Sequence, residues 1–205
     1  MIPTQRRMQG LGTAIAALAF FMAVWHPGLA GAQAADLVAQ GRQALGADKV
    51  DEALVLLEKA VAADPKDPAA LAWLGSAQVR KARRVPPMDG AGWVKRGFNT
   101  LDEAVERFPD SFVVYLVRGI TATQVPDLFK KAPAAVSDLT AVVAMRDKNP
   151  KAVPESVMPS VYLHLGLAYK KNSQPAEARA AWETGRARYP TAPEARAIEE
   201  ELRKL

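Results

Sequence analysis

One spacing of small and large residues occurs twice in this 205-residue chain, at two distant places. The first occurrence consists of Gly41, Ala53, Leu57, Ala60 and Pro65. The second, with the same offsets of 12, 16, 19 and 24 residues from its glycine, consists of Gly166, Ala178, Trp182, Gly185 and Pro190. Small residues at fixed helical positions let two helices approach closely, and a large residue fills the space beside them. The spacing therefore predicts an array of stacked helix pairs.

Two further copies lie between these, and each has extra residues between its halves. In one copy the second half comes ten residues late; its members are Gly75, Gly97, Leu101, Ala104 and Pro109. In the other copy it comes four residues late, with Asp147 in place of the proline; its members are Gly119, Ala135, Leu139, Val142 and Asp147. These insertions are expected to alter the connections within the two middle copies and to leave their helices in place.

The pattern resembles the tetratricopeptide repeat (TPR), a unit of about 34 residues that forms two antiparallel helices. The resemblance covers residues 34–192 in four units, at about 34–67, 68–111, 112–151 and 159–192. It implies an all-α, right-handed solenoid of about four antiparallel helix pairs. Residues 193–205 follow as a highly charged helix with a narrow apolar stripe, Ala195, Ile198 and Leu202. We predict that this helix caps the end of the solenoid.

Residues 1–34 have the order of a secretory signal. Arg6 and Arg7 precede an uncharged run over residues 10–25, and small residues follow. We predict cleavage after Ala34 and hence an exported protein, periplasmic or secreted. The alternative is an uncleaved segment that anchors the protein in the inner membrane, although the 16-residue run is shorter than the roughly 20 residues of a typical span.

The remaining sequence offers little chemistry for catalysis. The chain has no cysteine, and after residue 34 its one histidine is His164. No acid, base or nucleophile partner is evident around His164, so we predict no enzyme activity, no cofactor and no metal. Without Arg6 and Arg7 the chain has 25 basic against 22 acidic residues. This mild excess gives no dense basic stripe, so nucleic acid is not a predicted partner.

The insertion in the second copy, residues 80–96, contains six basic residues and one acid, Asp89. We predict that this basic-aromatic loop contacts an acidic partner or an anionic membrane surface; the predicted contact residues are Arg80, Arg83, Arg84 and Trp93. The alternative is a long helix end with solvated charges and with Trp93 packed against the protein.

The TPR resemblance also implies a binding surface, because in that family the first helix of each pair lines a concave groove. The apolar residues implied at the groove are Val113, Leu116, Val117, Ile120 and Leu167. The polar and aromatic candidates are Arg42, Trp73, Arg80, His164, Lys170 and Lys171. The alternative is that residues 125–129 or a neighbouring chain cover the apolar face. The Lys/Asn/Arg clamp of chaperone-binding members is absent, which disfavours an acidic chaperone tail.

We therefore predict a non-enzymatic scaffold or adaptor that binds a protein or peptide segment and supports assembly of a cell-envelope complex. The alternative is an accessory ligand-binding module of a transport or uptake system. That alternative predicts a closed pocket under the insertion of the third copy. The identity of the partner and the oligomeric state are left open by the sequence.

Overall fold

The computed structural model describes the backbone of residues 27–205 and the side chains from residue 31 onward. Every regular element in this range is helical, and consecutive helices pack in pairs. The pairs are α1 (Pro27–Gly46) with α2 (Val50–Ala63), α3 (Pro68–Lys81) with α4 (Pro87–Arg107), α5 (Phe112–Thr123) with α6 (Ala132–Lys148), and α7 (Met158–Lys171) with α8 (Pro175–Arg188). A last helix, α9 (Ala195–Leu202), packs on α8. This architecture confirms the predicted all-α solenoid of four helix pairs with a terminal cap.

Most of the predicted signal, residues 1–26, lies outside the described residues. Helix α1 begins at Pro27 and continues through the predicted cleavage site after Ala34. Ala34 itself is fully buried. Among the described helices, none is both long and apolar enough to cross a membrane.

Proline and aspartate mark the ends of several helices. Pro68, Pro87 and Pro175 occupy the first turns of their helices, where a missing backbone N–H costs nothing. The Asp67 carboxylate caps α3 by accepting a hydrogen bond of 2.8 Å from the Ala69 backbone N–H. Pro65 follows the end of α2 and cannot continue that helix. These residues fix where each unit starts and stops.

The repeated glycine and the repeated large residue meet in every pair. A Cβ atom added to Gly41 or to Gly75 would lie 2.7 Å from a leucine side chain, Leu57 or Leu101 respectively. The same contact recurs between Gly119 and Leu139 and between Gly166 and Trp182. All four large side chains are fully buried. The offsets found in the sequence therefore correspond to one physical contact, a large side chain packed on a bare helix backbone.

The two insertions take different forms. In the second pair the extra residues form a turn of 3₁₀ helix, Ala82–Arg84, and lengthen α4 to 21 residues. The predicted basic loop over residues 80–96 is therefore mostly helix, because α4 already begins at Pro87, inside this stretch. In the third pair a second 3₁₀ turn, Asp127–Phe129, follows α5 and places Val125 in the main core. Both insertions lie between the helices of a pair.

Candidate partner-binding groove

The first helices of three pairs, α1, α3 and α5, border an open cavity of about 510 Å³, here called the groove. Six of the predicted contact residues line it: Arg42, Trp73, Arg80, Leu116, Val117 and Ile120. Ser76, Thr121 and Gln124 add polar groups along the same wall. The groove thus brings together residues that lie far apart in the sequence, because they come from the first helices of three different pairs.

Arg42 and Trp73 form the most prominent feature of the groove. The Arg42 guanidinium carbon lies 5.0 Å from the centroid of the Trp73 ring, within cation–π distance. Trp73 is half-buried against α1 and α2, whereas Arg42 is exposed. The stack restrains a long side chain and leaves its N–H groups accessible to a partner.

Arg80 provides a second positive charge at the other end of this wall. Its Nη1 donates a hydrogen bond of 2.7 Å to the Leu45 carbonyl, one of the last carbonyls of α1. This bond holds Arg80 in place and satisfies a helix-terminal acceptor. Among the described residues that line the groove there are two arginines and no acidic side chain. The groove therefore favours a partner segment with negative charge.

The apolar floor of the groove comes from α5. Leu116 and Val117 are 8% and 2% exposed, and Ile120 is half-buried. Val113 packs on the core and does not line the cavity. Residues 125–129 do not line it either; most of them line a different cavity together with Val79 and Val94. The groove is open, but most of the apolar face predicted for α5 is buried, and Ile120 is the most accessible aliphatic side chain that α5 adds to the groove.

No protein-family model matches this sequence, and no curated protein matches it significantly. Eleven chains among the solved structures match this fold, among them the following two. TTC0263, a thermophilic TPR protein of Thermus thermophilus, is 20% identical with a TM-score of 0.50, over 84% of this chain and 100% of that chain. MamA MSR-1 is 24% identical with a TM-score of 0.51, over 82% of this chain and 90% of that chain.

The chain has the tetratricopeptide-repeat fold. The likeness covers more than four-fifths of the chain, and it agrees with the repeated glycine contact that each pair contains. A TPR solenoid has its first helices on one face, which explains why α1, α3 and α5 border one cavity.

Four predicted groove residues on α7 lie elsewhere in this TPR solenoid. Leu167 packs against the cluster of Trp182 and Ile198, and so supports the cap. Lys170 forms an ion pair of 2.7 Å with Glu201 of α9. Lys171 donates to the Val125 carbonyl and pairs with Asp127, and so secures the insertion after α5.

His164, the fourth of these residues, is held by α5. The Thr123 hydroxyl donates to the Ile120 carbonyl at 2.7 Å and lies 2.8 Å from Nδ1 of His164. Because that hydroxyl proton is used, Nδ1 of His164 is the donor to Thr123. Burial lowers the pKa of His164 to about 4, so the ring is neutral at physiological pH. This arrangement joins the third and fourth TPR units.

Much of the charge in the basic stretch is paired within the protein. Arg80 binds Leu45, and Lys81 pairs with Asp51. Arg84 pairs with Asp48, and this pairing lowers the pKa of Asp48. Arg83 donates to the Gln124 carbonyl. These contacts fasten the second TPR unit to the first and to the third.

Trp93 and Arg96 lie on the lengthened α4. The Arg96 guanidinium carbon lies 4.7 Å from the Trp93 ring centroid, and Trp93 packs against the core of the first TPR unit. Lys95 and Arg96 are exposed. The alternative drawn from the sequence agrees with the packed Trp93 and the exposed Lys95 and Arg96, but not with the paired charges of Lys81 and Arg84.

Sequence analysis missed a partly buried ion network between the second and third TPR units. Arg118 on α5 donates two hydrogen bonds, of 2.7 and 2.8 Å, to both oxygens of Asp138 on α6. It also donates to Asp102 on α4 at 2.8 Å. Burial raises the pKa of Asp138, which is 1% exposed, and Arg118 opposes that rise. Isolated charges on three helices gave no signal in the sequence, because only the packing brings them together.

A second cavity, of about 860 Å³, lies between the two insertions. Its walls come from the end of α3, the start of α4 and residues 124–129, so we call it the insertion cavity. Unlike the closed pocket expected for a ligand-binding module, it is open to solvent. Among the described residues, no cluster of histidine and acidic side chains is suited to hold a metal.

Proposed function

We propose that this protein is a non-enzymatic TPR scaffold that binds a segment of a partner protein in the groove. The observation that supports this is the stack of the exposed Arg42 on the half-buried Trp73, beside an apolar floor and a second arginine, with no acidic side chain along the described lining. A segment that fits has an apolar side chain next to a carboxylate. The apolar side chain would cover Trp73 and Ile120, and the carboxylate would accept hydrogen bonds from Arg42.

The preformed solenoid reduces the cost of binding. Trp73 packs against the core, and Arg80 is held by the Leu45 carbonyl. Most of the conformational entropy lost on binding is therefore lost by the partner segment, and the affinity depends on a few anchoring contacts. A scaffold of this kind suits assembly of a multi-protein complex, and we propose a complex of the cell envelope because the N-terminal sequence is typical of export.

Peptide display on the purified protein tests the groove. The expected result is enrichment of peptides that combine acidic and large apolar residues. Ala39→Trp, on the exposed groove wall, should remove their binding. The matched control is Ala91→Trp, the same change on the exposed wall of the insertion cavity. Equal binding by Ala39→Trp and the parent protein would overturn the proposal.

Export is tested by the intact mass of the protein isolated from its native cells. Loss of residues 1–34 would support export with cleavage after Ala34. That cut would remove the first eight residues of α1, including the buried Ala34. A full-length mass in a membrane fraction would instead support the anchored alternative.

A further inference from the structure

The insertion cavity is a product of this chain's own insertions. Val85 and Val94 come from the first insertion and the lengthened α4, and Val125 and Phe129 come from the second insertion. Gly90 permits the close approach on one side, because a Cβ at that position would lie 3.1 Å from the Ala82 carbonyl oxygen. Two insertions in successive repeats thus pack towards each other and leave an apolar space between them.

The size and lining of this cavity are those of a site for a small ligand. Its volume of about 860 Å³ falls within the roughly 300–1,000 Å³ typical of such sites. Most of the lining is aliphatic or aromatic, and it includes Val79, Val85, Val94, Val125, Leu128 and Phe129. A polar ligand such as a sugar would leave most of its hydrogen-bonding groups unmatched here. The lining therefore selects a largely apolar molecule.

The charged side chains at the cavity all have one sign. Arg80, Arg83 and Lys171 line it, and no acidic side chain is among the described lining residues. Arg80 is directed to the Leu45 carbonyl, and Lys171 already binds Val125 and Asp127. Arg83 is exposed and makes one hydrogen bond among the described residues, to the Gln124 carbonyl. A guanidinium with further N–H groups at the mouth of an apolar cavity matches the two oxygens of a carboxylate.

Large apolar side chains are exposed on both insertions, and one of them, Leu128, lines the cavity. Leu128, on the second insertion, is 74% exposed, and Met88, beside Pro87 on the first, is 94% exposed. Exposed apolar side chains of this size on both insertions indicate a surface that a bound molecule covers. A ligand whose apolar chain extends to the mouth would cover Leu128.

We propose that the insertion cavity binds an amphipathic carboxylate, an apolar group with one negative charge, with the apolar group against Val94, Val125 and Phe129 and the carboxylate on Arg83. This site is separate from the groove, and the two sites share Arg80 and Gln124 as a common wall. The proposal does not depend on the groove's function.

Titration of the full chain with dodecanoate, below its micelle concentration, tests the site by calorimetry and by amide chemical shifts. We expect saturable binding of one dodecanoate, with shifts concentrated at Val94, Val125 and Phe129. Dodecyltrimethylammonium has the same chain with the opposite charge, and we expect it to bind at least about tenfold more weakly. Equal binding of both amphiphiles, or shifts concentrated at Trp73 and Ile120, would overturn the proposal.

Three variants sharpen the test. Ala91→Trp should abolish dodecanoate binding by filling the cavity from its exposed wall, whereas Ala39→Trp, in the groove, should leave it unchanged. Arg83→Gln should weaken binding about tenfold, the effect of one charge-assisted hydrogen bond, and Arg83→Lys should restore part of it. Unchanged binding by Ala91→Trp would overturn the proposal. So would binding to vesicles containing an anionic phospholipid without binding to dissolved dodecanoate, which would assign this surface to a membrane.

Discussion

The first and fourth TPR units have the regular spacing, whereas the second and third are stretched by insertions. The comparison distinguishes the residues that stabilise the fold from those that form candidate binding surfaces. All four units keep the same buried contact between a glycine and a large side chain. The middle units add all the lining residues of the insertion cavity except Lys171, and their first helices supply much of the groove wall. An insertion between the two helices of a unit leaves their packing intact and can therefore create a surface at little cost to the fold.

The largest expected effect concerns the fourth TPR unit, one of the two regular units. Trp182→Ala should lower the free energy of unfolding by about 3–5 kcal/mol. It empties the space beside Gly166 and removes the hydrogen bond of 2.9 Å from the indole N–H to the Leu163 carbonyl. Denaturant unfolding measures the loss, with Val55→Ala, at an exposed position on α2, as control. Equal stability of the two variants would contradict the shared role of this contact.

The second prediction concerns the stretched units, which have an ion network in addition to the glycine contact. Arg118→Met should cost about 3 kcal/mol, because Asp138 is then left buried without its partner. The double variant with Asp138→Leu should recover much of the loss, since no unpaired charge remains. Unfolding of both proteins in urea measures this. If the double variant were as unstable as Arg118→Met, charge burial would not be the cause.

The third prediction concerns the junction between the stretched and regular parts, at His164. Its pKa is lowered from 6.5 to about 4 by burial, so protons bind the unfolded chain more readily between these values. The contribution of His164 to the free energy of unfolding is therefore fully present above about pH 6.5, and it falls as the pH decreases towards 4. The expected loss from this group between pH 7 and pH 5 is about 2 kcal/mol. His164→Asn retains a donor for Thr123 and should remove that part of the pH dependence in denaturant titrations; an unchanged pH profile would contradict the assignment.

The smallest expected effect concerns the groove. Ile120→Lys should change the free energy of unfolding by less than about 1 kcal/mol, because a half-exposed lysine keeps its charge in water and packs its aliphatic stem. The same variant should lose binding of the enriched peptides, since a charge in a desolvated interface is costly. Melting and binding measured on one preparation separate the two effects. A large loss of stability would place Ile120 with the core, alongside Leu116.

The candidate site was predictable only in part. The positions of Arg42, Trp73, Arg80 and Ile120 in the groove follow from the rule that first helices share a face, and the structure places them together. Lys170 and Lys171 satisfy the same rule, yet they bind Glu201 and Asp127. Whether a lysine on a first helix is available to a partner depends on which residues face it in the folded protein. Helical spacing alone does not reveal those residues.

What the sequence determined by itself is the architecture. Fixed offsets between small and large residues specify how two helices approach, and this local geometry, repeated four times, defines a solenoid without reference to distant residues. The tertiary structure decided the rest: the network of Arg118, Asp102 and Asp138, the neutral His164 and the insertion cavity. Each of these depends on side chains from different units meeting in space, because burial and charge pairing are properties of the packed molecule.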